Sequence, residues 1–212
     1  MLIAGIGGHL KDALVDILSQ YKTNEIVFYT DFENDINIVF YRKLGLTVLV
    51  GLEAAQKYFI EVDKRFVVFI GDNRKRESQV LSLEKIGGIP SAYLSKNTMA
   101  NDSLSEFSNR NSIIMHYVHI AAGSSLLEGA VAYNNCAIGH NVVIGRFAFV
   151  GAFCVLGDAH IGDYTFLGLH SVIGPGVTIG KNCIIGANSY VKTDMPDNSL
   201  VVGTPARVIR KL

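Results

Sequence analysis

Imidazole side chains are the groups of this sequence best suited to general acid–base chemistry, because histidine titrates near neutral pH. The sequence has six: His9, His116, His119, His140, His160 and His170. His140 stands in the segment AIGHNVVIG, two residues after Ile138. Ile138 belongs to a regular aliphatic repeat whose members we expect to point inward, so the side chain of His140 should leave the corner and face outward. His140 is therefore a candidate base for taking a proton from a bound acceptor.

The other histidines do not predict a metal site. His116 and His119 lie three residues apart in MHYVH. That spacing does not bring two imidazoles together on a β-coil, and no third ligand is near in sequence. His160 and His170 are expected on turns, where they could line a groove for an acceptor or a coenzyme or be solvated.

A glycine-rich turn near the start of the chain could hold a phosphate. The segment GIGGH, Gly5 to His9, follows a short apolar run and precedes apolar residues at helical spacing. Backbone N–H groups and the positive end of a helix converge at such a turn. A dinucleotide fingerprint would need a third glycine at Leu10, so NAD binding is not favoured. A tight turn without a ligand remains the alternative.

Strands and helices alternate through the first part of the chain. The pattern predicts strands at 1–6, 25–30, 46–50, 66–70 and 91–94, and helices at 10–18, 53–59 and 74–86. Such alternation is typical of a small, mostly parallel, open α/β sheet. Ligands of these sheets bind beyond the carboxyl ends of the strands.

A six-residue repeat organises positions 112–191. The large or aliphatic positions are Ile114, Ile120, Leu126, Ala132, Ile138, Ile144, Val150, Leu156, Ile161, Leu167, Ile173, Ile179, Ile185 and Val191, with one five-residue step after Leu156. A slim residue precedes each by two positions, and a glycine follows each from Gly139 to Gly186. This pattern predicts a parallel β-solenoid with three sides to a coil. A β-sandwich would not keep one phase through so many turns.

Composition restricts the class of protein. The chain has 212 residues, 49% of them hydrophobic, which is enough for two modest domains. Lysine and arginine balance aspartate and glutamate at 19 each, so neither nucleic acid nor an anionic membrane is an expected partner. Cys136, Cys154 and Cys183 fall on the slim phase of the repeat and are expected to be buried free thiols. With neither a signal sequence nor a membrane span in evidence, we expect a cytoplasmic protein without membrane insertion.

The repeat carries a family resemblance. The segments IGHNVVIG, IGDYTFLG, IGPGVTIG and IGKNCIIGANSYV resemble the hexapeptide-repeat acyltransferases, whose solenoid is a left-handed parallel β-helix and which usually work as trimers. The ending VVGTPARVI is similar to the exit segment of the same group. With the α/β domain in front, the layout most resembles nucleotide-sugar acetyltransferases of the bacillosamine, viosamine and perosamine N-acetyltransferase type and their sialic-acid O-acetyltransferase relatives.

The resemblance implies a domain layout. It assigns residues 1–96 to a Rossmann-like domain that binds a nucleotide sugar and residues 97–111 to a linker or first turn. Residues 112–192 form the left-handed β-helix, and residues 193–212 form an exit segment that caps it.

The resemblance also implies functional residues. Those expected at the nucleotide sugar are Gly7, Gly8, His9, Asp31, Gly71, Asp72 and Asn73. His140 takes the place of the family's catalytic base, and Asn141 follows it where relatives often have an orienting acid. Asp158 is a candidate to supply that carboxylate instead. Phe149 replaces a second histidine of some relatives.

Acetyl-CoA is the expected co-substrate, with no metal. The resemblance places an oxyanion-binding amide at Gly151 or a neighbour and runs the coenzyme parallel to the solenoid axis, with its nucleotide end near GTPAR. The expected coenzyme residues are Gly151, His170, Gly203, Thr204, Pro205, Ala206 and Arg207, with Arg207 facing phosphate.

The resemblance predicts a homotrimeric N-acetyltransferase for the amino group of a nucleotide-linked 4-amino-4,6-dideoxy sugar, used in surface glycan synthesis or protein glycosylation. Two alternatives stay open. One is a sugar O-acetyltransferase of the sialic-acid type. The other is a trimeric scaffold that binds a nucleotide and catalyses nothing.

Overall fold

The computed structural model describes residues 1–100 and 106–212. These residues form two compact units, Met1–Ala92 and Tyr93–Leu212. The fold class predicted from the sequence is confirmed in both of them.

The first unit is an α/β sheet. Its strands are β1 Leu2–Ala4, β2 Val27–Thr30, β3 Val48–Val50, β4 Arg65–Val68 and β5 Ile89–Pro90, and its helices are α1 Gly8–Gln20, α2 Asn37–Lys43, α3 Leu52–Glu61 and α4 Asn73–Lys85. The strands are parallel, in the order β3-β2-β1-β4-β5. Leu2, Ile3, Phe28, Phe66 and Val67 are fully buried. The chain builds outward from β1 to β3 and then returns to β4 on the other side, so the strand order reverses next to β1.

Two details of this unit correct the sequence prediction. The pattern does not predict α2, in which Ile38 and Tyr41 are the buried residues, because so short a helix leaves a weak apolar period. The strand predicted at 91–94 is wrong for this sheet, whose last strand is β5. Tyr93 and Leu94 pair instead with Ile113 and Ile114 in the second unit.

The second unit is a β-solenoid. Its short strands are β6 Tyr93–Leu94, β7 Met99–Ala100, β8 Glu106–Phe107, β9 Ile113–Ile114, β10 His119–Ile120, β11 Ser125–Leu126, β12 Val131–Ala132, β13 Ala137–Ile138, β14 Val143–Ile144, β15 Phe149–Val150, β16 Val155–Leu156, β17 His160–Ile161, β18 Phe166–Leu167, β19 Val172–Ile173, β20 Thr178–Ile179, β21 Ile184–Ile185 and β22 Tyr190–Val191. The longer β23 Ser199–Gly203 and β24 Ala206–Lys211 end it.

Three sheets run along the solenoid, as the repeat predicts. One has the order β22-β19-β16-β13-β10-β7, the second β20-β17-β14-β11-β8 and the third β24-β23-β21-β18-β15-β12-β9-β6. Pairing is parallel, as in Val131 with Phe149, except that β24 is antiparallel to β23. This is the strand pattern typical of a left-handed β-helix.

The axis of the solenoid is filled as expected. Aliphatic residues of the repeat, such as Ile138, Ile144 and Leu156, and slim ones, such as Ala148 and Cys154, belong to one buried cluster. Glycine is required where coils approach closely. A Cβ on Gly162 would lie 2.5 Å from the carbonyl carbon of Gly180.

The solenoid begins earlier than the predicted boundary. Strand β6 lies within residues 1–96, which were assigned to the first domain, and β7 and β8 lie within residues 97–111, which were predicted as a linker or first turn; all three pair with solenoid strands. Residues 101–105 of that linker lie outside the described part of the chain. The early turns lack the repeat's glycines, which is why the pattern places the start too late.

Alternating charges stack at one corner on successive coils. The residues are Arg110, Glu128, Arg146, Asp163, Lys181 and Asp197. Glu128, 17% exposed, accepts from Arg110 Nε at 2.8 Å and from a terminal nitrogen of Arg146 at 2.8 Å. Lys181 Nζ lies 3.1 Å from Asp163 Oδ2. We call this series the charge ladder.

Glu128→Gln should destabilise the solenoid, because it leaves the two guanidinium groups of Arg110 and Arg146 without the carboxylate between them. We expect a loss of about 1 kcal/mol in the free energy of unfolding, measured by chemical denaturation at low ionic strength. The loss should shrink at 1 M salt, where charges are screened within a few ångströms. Glu61→Gln, the same change at an exposed helix end, is the control. Equal losses in both variants would contradict a role for the charge ladder.

Candidate functional site

The carboxyl ends of β1, β2 and β4 open into a cleft of about 250 Å³ in the first unit. The cleft lies where the strand order reverses, which is where ligands of open α/β sheets bind. It is lined by Gly5, Ile6, Gly7, Gly8, His9, Tyr29, Thr30, Asp31, Phe32, Asp35, Asn37, Phe69, Ile70, Gly71 and Gln79. Five of the seven residues predicted for the nucleotide sugar are in this set.

The glycine turn leaves open space at the start of α1. Gly5 has φ +85°, and a Cβ there would lie 2.9 Å from the carbonyl oxygen of Phe69, so this position needs glycine. At Gly7 and Gly8, apart from the adjoining residues and the helix's own backbone, no atom of the described residues lies within 4 Å of the position a Cβ would take. No side chain in the described part of the chain caps the helix at Gly7. A ligand anion could approach the backbone N–H groups there.

His9 packs over Gly71. A Cβ on Gly71 would lie 2.1 Å from Nε2 of His9, so the imidazole fills the space that the missing side chain leaves. Burial lowers the pKa of His9 below its usual 6.5; Asp12 opposes the shift and Arg76 adds to it. His9 is therefore a neutral hydrogen-bonding group at neutral pH.

The lowered pKa of His9 gives a pH prediction. The unfolded chain takes up a proton at His9 near pH 6.5, whereas the folded chain does so only at lower pH. Below about pH 6.5 the unfolded state thus binds more protons, and the free energy of unfolding falls as the pH drops. Thermal unfolding between pH 7 and 5 should show this loss, and His9→Gln should reduce it. His160→Gln, at an exposed position on β17, is the control. An unchanged slope in His9→Gln would contradict the prediction.

Asp31 stands at the rim of the cleft, directly after β2. Its Oδ1 accepts a hydrogen bond from the hydroxyl of Tyr29, which is buried. Burial and this bond raise the pKa of Tyr29, so the phenol stays protonated and keeps donating. The bond fixes the carboxylate while its second oxygen can accept from a ligand hydroxyl.

Hydrogen bonds within the chain fix the loop after β4. Two of the predicted ligand residues, Asp72 and Asn73, take part in these bonds. Asp72 Oδ1 accepts from the N–H of Lys75 at 2.8 Å and caps α4. Asn73 Oδ1 accepts from Arg76 at 3.1 Å. Neither Asp72 nor Asn73 lines the cleft described above, in contrast to Gly71.

Arg76 braces this loop. It is fully buried and donates to the carbonyl oxygens of Ile70 at 2.7 Å and Gly71 at 3.1 Å. Burial lowers the pKa of its guanidinium to about 9, with Asp72 opposing the shift, so it is still a cation at neutral pH. The polar sequence NRKR predicts a solvated helix start and gives no signal of this buried role.

A second cleft adjoins the first and shares Asp31, Phe32, Ile70 and Gln79 with it. Its other residues are Gly51, Leu52, Lys75, Ser78 and Ser82. The sequence pattern does not single out these residues, nor does it single out Tyr29, Thr30 and Gln79. The polar spacing of Lys75, Ser78 and Ser82 along α4 was the available signal, but it equally fits a solvated helix face.

His140 lies at an exposed solenoid corner two residues after the end of β13, as predicted. Its Nδ1 is 3.0 Å from Nδ2 of Asn141 and 3.9 Å from Oδ2 of Asp158. Asn141 has φ 57°, a left-handed conformation that asparagine tolerates. The corner thus joins an outward imidazole, an amide and a carboxylate.

The backbone amide of Gly151, predicted together with its neighbours as an oxyanion donor, is paired between two coils. Its N–H donates to the carbonyl oxygen of Leu167 at 2.9 Å, within the ladder between coils. The residue is buried, and its own carbonyl accepts from the thiol of Cys136. Binding of an oxyanion by this amide would compete with the bond between the coils.

Several predicted coenzyme residues lie along another corner of the solenoid. His170, with φ 62°, is exposed, and its ring lies 6.0 Å from that of exposed Phe153 one coil before. On the next coil, the carbonyl of Asn188 accepts from Thr204 Oγ1 at 3.0 Å. We call Phe153, His170, Asn188 and Thr204 the coenzyme column, after the coenzyme role predicted for His170 and Thr204.

The exit segment supports the end of this column. Gly203 donates its N–H to Ser189 Oγ at 3.1 Å, and residues 203–206 form the turn between β23 and β24. Pro205 and Arg207 are exposed, while Ala206 is buried. The Arg207 guanidinium donates to the carbonyl of Ala206 at 2.9 Å, near the column's end. In the sheet that contains β13, β16 and β19, His140 lies after the end of its strand. The column residues Phe153, His170 and Asn188 lie before the starts of β16, β19 and β22.

Within the part of the chain that the structure describes, the cysteines and the possible metal ligands do not form a further site. All three cysteines are buried and free. Within residues 1–100 and 106–212, no cluster of three histidine, cysteine or acidic residues could hold a metal ion. No helix in the same ranges has the length and apolarity needed to cross a membrane.

Comparison with known proteins gives relatives at the level of fold. The family model of the bacterial transferase hexapeptide, six repeats, matches residues 158–193. No curated protein matches the chain. PerB from Caulobacter crescentus, solved with CoA and GDP-perosamine, is 25% identical, with 98% of this chain and 95% of that chain covered and a TM-score of 0.81.

Two further solved structures resemble this chain along nearly its whole length. A mutant of perosamine N-acetyltransferase from Caulobacter crescentus, also solved with CoA and GDP-perosamine, is 24% identical over 99% of this chain and 96% of that one, with a TM-score of 0.83. The acetyltransferase domain of PglB from Neisseria gonorrhoeae, solved with acetyl coenzyme A, is 22% identical over 98% of both chains, with a TM-score of 0.82. The resemblance seen in the sequence is thereby confirmed: residues 158–193 match the hexapeptide model, and the chain has the fold of these solved acetyltransferases.

Proposed function

We propose that the protein is an acetyl-CoA-dependent N-acetyltransferase that acts on the amino group of a nucleotide-linked 4-amino-4,6-dideoxy sugar. The observation that carries the proposal is the pairing, in one chain, of a cleft at the carboxyl ends of a parallel sheet with an outward imidazole beside a carboxylate on the solenoid. PerB, which matches along nearly the whole chain, was solved with both CoA and a nucleotide-linked sugar, and this supports the assignment.

The first unit binds the nucleotide in this proposal. The diphosphate approaches the open space at Gly7 and Gly8, where N–H groups at the start of α1 can donate to phosphate oxygens. His9 is a neutral donor or acceptor at the same turn, and the Asp31 carboxylate accepts from a ribose hydroxyl or a base. Asp72 and Asn73 contribute by shaping the loop that carries Gly71.

The chemical step is a direct transfer. The sugar amine attacks the thioester carbonyl carbon, forming a C–N bond as a proton passes from the amine to Nε2 of His140. The C–S bond then breaks, and the coenzyme sulfur leaves with the electron pair and takes up a proton from the imidazolium. The thiols of Cys136, Cys154 and Cys183 are buried, so an acyl-cysteine intermediate is not part of the proposal.

The coenzyme column fits a pantetheine arm. Its exposed ring of Phe153 offers an apolar surface, and Thr204 and Arg207 stand at its end, where phosphate groups would be expected. Gly203, Pro205 and Ala206 shape that end. The residues present therefore fit acetyl-CoA, with Arg207 as the charge partner. We place the protein in the cytoplasm, since free buried cysteines suit a reducing compartment.

We further infer a homotrimer. The sheet that contains β13, β16 and β19 presents Ala137, Val155 and Val172 outward, with exposed Met99 and Tyr190 at its two ends and exposed His119 between Met99 and Ala137. Exposed apolar rows of this kind mark interaction surfaces. A neighbouring chain covering this sheet would bring its coenzyme column toward His140.

Val155→Asp is expected to shift the protein from trimer to monomer, because a carboxylate in the centre of the apolar row would be desolvated without a partner. Sedimentation equilibrium measures the change. Val15→Asp, at an exposed position on α1, is the matched control and should keep the wild-type mass. A monomeric wild type, or a Val155→Asp variant that stays trimeric, would contradict the inference.

Release of free thiol from acetyl-CoA tests the proposed function. The panel contains UDP-, dTDP- and GDP-linked 4-amino sugars, with sialic acid as the hydroxyl acceptor. Turnover on one nucleotide amino sugar is the expected result and names the acceptor. Activity on sialic acid alone would favour the O-acetyltransferase, and silence with every acceptor would favour the scaffold.

A further inference from the structure

We propose that Asp158, contributed by the coil after His140, is the positioning residue for the His140 imidazole. The inference rests on the proposed function. Asp158 Oδ2 lies 3.9 Å from Nδ1 of His140, within ion-pair range. Relatives of this kind of enzyme were expected to carry an acid directly after the histidine, where this chain has Asn141.

The five-residue step of the repeat places the carboxylate. Strand pairing matches Ile138 with Leu156 before the corner and Val143 with His160 after it. Gly139, His140, Asn141 and Val142 span the corner in one coil, and the next coil spans it with Gly157, Asp158 and Ala159. The shorter corner, Gly157 to Ala159, has no residue at the position that Asn141 takes in the coil before. Asp158 is consequently the counterpart of His140, stacked directly on it.

The neighbours of this stack carry no competing charge. Ala122 is the counterpart one coil before His140, and its carbonyl accepts from Asn141 N–H at 3.2 Å. Pro175 follows Asp158 on the other side, where the Asp158 carbonyl accepts from Gly176 N–H at 2.7 Å. Asp158 is held by its backbone, which leaves its carboxylate free to turn toward the imidazole.

The two partners of Nδ1 have opposite effects on the base. An amide N–H from Asn141 donates to an unprotonated Nδ1, which leaves the proton on Nε2. A carboxylate can only accept, so Asp158 selects the tautomer with the proton on Nδ1 and a free lone pair on Nε2. Only that tautomer can take a proton from the amine at Nε2. The same carboxylate stabilises the imidazolium that results.

The distance of 3.9 Å is longer than a hydrogen bond. Both side chains are exposed, His140 by 68% and Asp158 by 47%, so small rotations can close the gap. Catalytic hydrogen bonds in unliganded enzymes are often long and tighten in the substrate complex. Exclusion of water by bound substrates would strengthen the contact further.

The test combines Asp158→Asn with a tautomer measurement. The ¹⁵N resonances of His140, assigned by comparison with His140→Asn, report which ring nitrogen is protonated, both in the enzyme alone and in its unreactive complex with CoA and the nucleotide amino sugar. We expect Asp158→Asn to lose the Nδ1–H tautomer and to lower kcat by roughly 10- to 100-fold, the range for loss of a residue that orients a functional side chain. The KM values for both substrates should stay unchanged.

A rescue variant separates positioning from a structural role. In the Asp158→Asn background, Asn141→Asp returns a carboxylate to the neighbourhood of Nδ1 and should recover most of the lost kcat. Wild-type tautomer and kcat in Asp158→Asn, or failure of the rescue, would overturn the inference. A wild type that transfers no acetyl group would reject the proposed function instead, and the tautomer shift alone would then decide the role of Asp158.

Discussion

Replacing His140 with alanine is expected to lower kcat for acetyl transfer by roughly 10²- to 10⁴-fold, the contribution typical of a general base. The imidazole stands at an exposed corner and is not part of the buried cluster along the solenoid axis, so the fold should survive. The KM values should change little, because His140 belongs neither to the nucleotide cleft of the first unit nor to the coenzyme column. The measurement is thiol release with both substrates saturating.

The matched control for this loss is Thr178→Ala. Thr178 is an exposed residue at a solenoid strand, on β20, outside the sheet proposed as the trimer interface, and has no role in the proposed mechanism. It should retain kcat within about threefold. If His140→Ala turned over at the wild-type rate under saturating acetyl-CoA, the proton would have another acceptor and the assigned base would be wrong. Equal losses in both variants would indicate a structural effect.

The solenoid could be predicted from sequence because its geometry imposes one local rule on every coil. An inward position such as Ile144 needs an aliphatic side chain, and the next position, Gly145, needs glycine because a Cβ there would lie 2.7 Å from the carbonyl oxygen of Ile161. Because each coil repeats this constraint, every further repeat in the sequence supports the same assignment of inward-facing positions. The early strands β6 and β7 lack this glycine rule, and the predicted boundary came too late there.

The first unit was predictable at the level of strand and helix order. The short helix α2 was not, because only two of its side chains are buried. The cleft residues depend on which strand ends become neighbours, and that follows from the sheet order rather than from any local pattern. Tyr29 is an example: in sequence it is an ordinary strand residue, and only the fold places its hydroxyl on Asp31.

The candidate site shows a different limit. A sequence shows that a residue type is available but not whether its hydrogen-bonding groups are already used. Asp72, Asn73 and Gly151 fit their expected roles by position, yet the first two are used in holding a loop and a helix start, and the amide of the third is paired between coils. Arg76 shows the reverse case, because a charged residue in a polar run is completely buried.

The two units separate recognition from chemistry in the proposed function. In the first unit, open backbone at a helix start and a fixed carboxylate suit a charged nucleotide. In the second unit, the imidazole of His140 lies on a solenoid coil that backbone hydrogen bonds between coils hold in place. It does not depend on a mobile loop. Rigid elements hold catalytic geometry better than loops. This separation predicts that nucleotide binding and acetyl transfer can be impaired independently.

Gly8→Asp is expected to raise the KM for the nucleotide sugar by roughly 100-fold while leaving the KM for acetyl-CoA unchanged. A carboxylate at this position would lie at the proposed diphosphate, and two like charges about 4 Å apart repel by a few kcal/mol near a protein surface. The fold should tolerate the change. Apart from the adjoining residues and the helix's own backbone, no described atom lies within 4 Å of the new Cβ, and an acidic residue at the first turn of a helix is favourable.

Gly8→Ala is the matched control, because it adds the Cβ without the charge. Alanine is a better helix former than glycine, so this variant should be at least as stable as the wild type. Its KM for the nucleotide sugar reports the steric share of the effect, and the difference between the two variants reports the electrostatic share. A wild-type KM in Gly8→Asp would mean that the diphosphate does not lie over the start of α1. A large charge-specific loss would place it there, because a single carboxylate screened by solvent loses its influence beyond about 10 Å.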